Sequence, residues 1–377
     1  MHDAPICSRS WLRRLPALLV LPALLAACSD SGSGTSAAPY RDAGPYVAGV
    51  TTLDLGDRKV EVWYPVDPGD QGSAPRDAYY IRDWLPDYID ALLPADVNPP
   101  LVTDAYRDVP ASKDGPFPLV LFAHGFAAFR DQSTFLTAHL ASWGFVVAAP
   151  DYLERGLASA LGQQPQVRYE DVQLSRATVD LLKGENARAA SLLAGIVSAE
   201  RVAIVGHSAG GGSAILFGGE PDVVTFVPMS AGARGAGRDL ALPDKPSLWL
   251  TGAADGVVPI DGVEQTYDAA LPPKRLVVLE NAGHLAPSDL CAIGASGGGI
   301  VAIAIEAGLP VPEQLQRLGT DGCQPEALDP ADGWPVVKHF VTAQLRWAFG
   351  IDPRPVGLSQ DAAAGLPEAP FSYDEAR

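Results

Sequence analysis

The residues best suited to chemistry lie in "GHSAG", Gly206–Gly210, directly after the apolar run Val202–Val205. A glycine, one serine, then three consecutive glycines place a single hydroxyl where a buried strand ends. The G-x-S-x-G spacing between a strand and a small-residue helix fits a sharp strand-to-helix turn. Such a turn forces the serine into a strained backbone and excludes side chains two residues to either side. It lifts the Ser208 hydroxyl off the sheet toward a helix N-terminus, where free amides favour developing negative charge. The bland reading of the same residues is a glycine-rich helix cap.

A neutral serine needs a base. His124 closes one strand, His207 adjoins the serine and faces away from it, and His139 and His339 fall in amphipathic helical stretches. All four read as structural. His284 differs, because "LENAGH" puts it in a loop just past the last apolar strand, able to reach over the strand ends. His284 is therefore the expected general base and acid. Asp255 in "LTGAADGVVP" follows the preceding strand and completes the order serine, aspartate, histidine. The Ala209 N–H and the Phe126 N–H in "FAHGF" are the expected oxyanion donors, and the Phe126 ring reads equally as a wall of the acyl pocket or as core.

These residues require a sheet that brings distant segments together. "FPLVLFAHG", "FVVAAPD", "RVAIVG", "DVVTFVPMS", "SLWLTG" and "RLVVLE" are continuous apolar runs at intervals that suit intervening helices. Continuous rather than alternating runs imply burial on both faces, hence an α/β fold with a mostly parallel central sheet and helices on both sides. "VEVWYP" from Val60 reads as an early antiparallel strand, residues 67–115 as an insertion with a short helical piece near 80–92, and 170–195 as a long amphipathic helical stretch, broken near Gly184. "WPVVKHFVTAQLRWAFG" reads as a closing helix and 351–377 as a Pro/Ala-rich tail. Segment 292–308, "AIGASGGGIVAIAIEAG", reads as a buried helix in preference to a mobile flap.

Residues 1–27 carry Arg9, Arg13 and Arg14 and then "LPALLVLPALLAA", followed at once by Cys28. This reads as an export signal ending in "LAAC", similar to a bacterial lipoprotein lipobox, with Cys28 acylated and residues 28–44 a flexible tether. Loss of those three arginines and Asp3 from the 27 basic and 45 acidic residues leaves 24 and 44, a net charge of −20. That balance argues against nucleic acid or anionic head groups as partners and leaves a membrane contact only through Cys28. Cys291 and Cys323 form the expected disulfide of an exported chain, worth about 3–4 kcal/mol by loop closure. No metal-ligand spacing occurs.

"VWYP", "HGF", "GHSAGG", "GAADGVVP" and "NAGH", in that order, resemble the α/β-hydrolase superfamily over residues 45–350. They are similar to bacterial dienelactone-hydrolase-like, plasma-type platelet-activating-factor acetylhydrolase-like and polyester hydrolase enzymes. The resemblance implies ester hydrolysis without a cofactor, with Ser208, Asp255 and His284 as triad and Phe126 and Ala209 at the oxyanion. Dienelactone hydrolases proper carry cysteine where this chain has Ser208, and cutinase-type enzymes usually lack the histidine before Gly125. Short-to-medium acyl esters are expected, because no long apolar lid is evident. An amidase on the same site, and a surface-binding lipoprotein without activity, are the rival readings. If the lipobox reading holds, Cys28→Ser moves the protein from the membrane fraction to the soluble fraction; unchanged membrane association contradicts it.

Overall fold

A computed structural model describes residues 37–235 and 238–377. The expected signal, Cys28 and residues 28–36 of the tether lie outside the described residues. The strands are β1 (Val47–Leu55), β2 (Arg58–Val66), β3 (Arg76–Tyr80), β4 (Pro100–Arg107), β5 (Phe117–Ala123), β6 (Val146–Pro150), β7 (Val197–His207), β8 (Val223–Met229), a two-residue pair β9 (Arg234–Gly235) and β10 (Arg238–Asp239), β11 (Ser247–Gly252), β12 (Lys274–Leu279) and β13 (Phe371–Ala376). The helices are α1 (Asp87–Asp90), α2 (Thr134–Ser142), α3 (Leu157–Ala160), α4 (Asp171–Ala187), α5 (Ala209–Gly218), α6 (Ile260–Ala269), α7 (Gly299–Glu306), α8 (Glu313–Leu318) and α9 (Pro330–Phe349).

One sheet runs β13-β12-β11-β8-β7-β5-β6-β2-β1-β4-β3. Strands β12, β11, β8, β7, β5 and β6 are mutually parallel. β2, β1 and β13 join antiparallel to their inner neighbours. The apolar runs behave as two-sided strands. On β5, Val120 and Phe122 pack with α2 and α9, while Leu119 and Leu121 pack on the opposite face with α4 and α5. The site therefore rests on strands fixed from both sides.

Several expectations need correction. The 67–115 insertion is not merely a loop, because β3 and β4 extend the sheet and β4 pairs parallel with β1; the short helical piece is present at 81–90. Helix α4 runs through Gly184 but ends at Ala187, so residues 188–195, expected as helix, are not helical. Helix α2 is not amphipathic, since all nine residues are buried. Its outer side is covered by residues expected to be tether: Tyr40 meets the Trp143 ring edge-on at 5.0 Å, and the Tyr40 hydroxyl donates to Asp352 at 2.6 Å. Residues 37–44 are thus part of the folded unit.

The C-terminal tail is folded as well. β13 pairs with β12 over six positions, Leu279↔Phe371 to Lys274↔Ala376, and Leu358, Leu366 and Phe371 enter the core. Its sequence "FSYDEA" alternates exposed and sheltered residues, as an edge strand does. Phe371→Ala is expected to lower the unfolding free energy by about 3 kcal/mol in chemical denaturation. A loss below about 0.5 kcal/mol, the range of surface substitutions, contradicts the docking of this strand.

Candidate active site

The turn after β7 is built as the sequence requires. Ser208 has φ 55° and ψ −121°, a left-handed backbone that costs a non-glycine residue of order 1–3 kcal/mol. A Cβ on Gly206 would lie 2.0 Å from the Gly210 carbonyl oxygen, and one on Gly210 would lie 2.0 Å from that of Ala123. Side chains at either position would push helix and strand apart and undo the turn. Ser208 itself is half-buried at the N-terminus of α5.

Three segments converge on it. His284, five residues beyond β12 and fully buried, places Nε2 2.9 Å from the Ser208 hydroxyl oxygen. Its Nδ1 lies 2.9 Å and 3.1 Å from the two Asp255 carboxylate oxygens, so the neutral ring donates to Asp255 and accepts from Ser208. Asp255, three residues past β11, also accepts from the Val257 and Val258 amides at 2.9 and 2.7 Å. Burial pushes its carboxyl up, but the His284 contact and those two amides outweigh burial and hold it below the ordinary carboxylate value.

The loop after β5 closes the arrangement. A Cβ on Gly125 would stand 3.2 Å from the Ser208 Cβ, so this loop passes beside the serine. Neither the Phe126 N–H nor the Ala209 N–H donates to a protein acceptor among the described residues. Phe126 is 44% exposed, and its ring lines the cavity above the serine rather than the core. Phe126, Ser208, Ala209, Asp255 and His284 thus all follow the carboxyl ends of sheet strands, and the expected disulfide Cys291–Cys323 is present.

The cavity has a volume of about 210 Å³ and is walled by Ile81, Leu85 and Ile89 of the insertion, Leu157 and Leu161 near α3, and Ile300, Ile303 and Leu315 of α7–α8. Among the described residues that line it, Arg82 is the one charged side chain, and its guanidinium is occupied by Asp90 and the Pro94 and Val97 carbonyls. The expected buried helix at 292–308 needs correction: no residue of α7 is buried. Its apolar face forms cavity wall, so an apolar cover exists where none was expected.

Asp321 was not anticipated. Its carboxylate accepts from the His284 amide at 2.6 Å and the Gly256 amide at 3.4 Å, joining the loops that carry His284 and Asp255. Its place two residues before Cys323 was the only sequence signal, and that signal does not point to a role.

Three of the other described histidines, His124, His139 and His339, are structural, as expected. His124 Nδ1 donates to the Gly125 carbonyl and Nε2 accepts from the Tyr152 amide. His139 donates to the Tyr40 carbonyl. His339 donates to the Gly357 carbonyl and accepts from the Tyr40 amide.

Among known proteins, the family model "Chlorophyllase" matches residues 108–218. A bis(hydroxyethyl) terephthalate hydrolase of Streptomyces coelicolor is 27% identical over 184 residues, 47% of this chain and 54% of that protein. The cutinase est1 of Thermobifida alba is 25% identical over 174 residues, 45% of this chain and 54% of that protein. The chain thus spans about half the length of these curated relatives. A solved ferulic acid esterase from Streptomyces cinnamoneus superposes with a TM-score of 0.59 at 21% identity, covering 86% of this chain and 96% of the other. This chain has the α/β-hydrolase fold.

Burial holds His124, His139 and His207 down at about 3 and His339 at about 4. These folded values lie below the unfolded value near 6.5, so the unfolded chain takes up protons first and stability falls as pH drops below about 6.5. Three carboxyls act oppositely, with Asp289 raised by burial to about 6, Asp131 raised well up by burial beside Glu61, and Asp83 raised by partial burial. The four histidines outweigh these carboxyls, so stability is lost as the pH drops from about 6.5 to 5. Urea unfolding at pH 7, 6 and 5 measures this; stability that stays flat or rises over that range contradicts it.

Proposed function

We propose that this protein is a serine hydrolase that cleaves carboxylic esters through an acyl-enzyme. The observation that carries the reading is the line Asp255–His284–Ser208, with contacts of 2.9 Å at each end, beneath an apolar cavity. Ser208 attacks the carbonyl carbon while His284 Nε2 takes its proton. Asp255, held anionic by its hydrogen bonds, stabilises the imidazolium and keeps the ring in the required tautomer. The carbonyl oxygen, now anionic, accepts from the Phe126 and Ala209 amides, which have no other acceptor among the described residues. Collapse returns the proton from His284 to the leaving alcohol. Water then enters, loses a proton to the same imidazole and releases the acid.

The substrate class follows from the walls. An apolar cavity whose lone cation is already paired favours an uncharged ester with an apolar acyl or aryl group. The names of the relatives, a terephthalate ester hydrolase and a cutinase, are consistent with this and extend the choice to polyester chains. Among the described residues no helix is long and apolar enough to cross a membrane. Attachment through an acylated Cys28, in a bacterial envelope, is the localisation we propose.

Purified protein is expected to hydrolyse p-nitrophenyl acetate faster than the matched anilide. Ser208→Ala should abolish turnover, and Asp255→Asn should reduce kcat roughly 10³–10⁴-fold. Full activity in Ser208→Ala contradicts the reading. A faster anilide reaction would make the protein an amidase on the same site.

A further inference from the structure

The proposed reaction draws on three segments that are far apart in the chain: the Gly125–Phe126 loop, the turn at Ser208 and the loop of His284. A buried row of side chains runs through all three. The Gly125 amide donates to Gln132 Oε1 at 2.7 Å. Gln132 Nε2 lies 2.7 Å from His207 Nδ1, and His207 Nε2 lies 2.8 Å from the His284 carbonyl oxygen. Gln132, His207 and His284 are all buried.

The direction of each hydrogen bond is forced. A backbone N–H only donates, so Oε1 of Gln132 must face Gly125 and its amide nitrogen must face His207. His207 then accepts at Nδ1 and carries its proton on Nε2, where it meets a carbonyl that only accepts. Each donor finds an acceptor, and reversing any one group would set two donors or two acceptors against each other at buried positions. Burial, aided by the neighbouring His284, keeps the ring neutral at about 3, which preserves this tautomer across the working range.

We propose that Gln132 and His207 are positioning residues, which lock the oxyanion loop, the nucleophile turn and the base loop into one register. Their ring and amide polar atoms are all committed to these contacts. They act through the backbone, on Gly125 next to the Phe126 amide, on the residue before Ser208, and on the carbonyl of His284 itself. Reacting atoms must be held to within a fraction of an ångström, and a displacement of about 1 Å costs around 10²-fold in rate. The inference rests on the ester-hydrolase reading above.

Two isosteres separate the two ends of the row. In place of His207, an asparagine amide falls near Nδ1 and keeps the Gln132 contact, while a glutamine amide falls near Nε2 and keeps the donor to His284. Steady-state kinetics on p-nitrophenyl acetate, with thermal melts as the folding check, compares wild type, His207→Asn, His207→Gln, Gln132→Leu and Ser208→Ala. His207→Asn and Gln132→Leu should lose roughly 10- to 100-fold in kcat with KM within about twofold. His207→Gln should recover kcat to within about threefold of wild type. The inference is overturned if folded His207→Asn and Gln132→Leu turn over within about twofold of wild type, or if folded His207→Gln falls as far as His207→Asn. Should one His207 variant fail to fold, the other and Gln132→Leu decide. A wild type that hydrolyses no ester, or a Ser208→Ala variant that does, removes the site reading and this inference together. An active wild type with unaffected variants removes this inference alone.

Discussion

The site depends on a steric constraint in one turn. Ser208 can hold a left-handed backbone only because nothing projects from Gly206 or Gly210, where a methyl carbon would sit 2.0 Å from a carbonyl oxygen. The strain needs a rigid surround, and it has one: β7 lies between β5 and β8, buried on both faces. Loop geometry is then a matter of reach. β5, β11 and β12 end on the same side of the sheet, and their loops bring an amide, a carboxylate and an imidazole to a fixed hydroxyl.

What the sequence made legible follows from the same physics. Strands covered on both faces must be apolar throughout, so β5, β6, β7, β8, β11 and β12 stand out as runs. Residues that serve chemistry sit where those runs stop, which is why Ser208, Asp255 and His284 could be singled out in order. Strands at or next to the sheet edges carry no such mark. β4, "PLVTDAYR", and β13, "FSYDEA", keep polar residues on open faces and read as loop or tail. Helix α2 has a pattern that looks amphipathic, yet the N-terminal segment around Tyr40 covers its outer side, a contact between residues about a hundred positions apart.

Helix α7 illustrates a different ambiguity. "GIVAIAIE" is apolar enough for a core, and no local rule separates a core helix from the wall of a cavity. The answer lies in what faces it, namely Ile81, Leu85 and Ile89 of an insertion some two hundred residues earlier. Asp321 and Gln132 escaped for a related reason. Each acts by accepting a backbone N–H, and a single polar residue carries no motif that announces such a partner.

The most direct test of the account is the site of covalent capture. Protein treated with a fluorophosphonate under native conditions, digested and analysed by mass spectrometry, should carry the adduct on the peptide containing Ser208, and His284→Ala should prevent its formation. An adduct on a different serine, or ester turnover by protein that never forms one, would contradict the convergence of residues 208, 255 and 284 as the reactive centre.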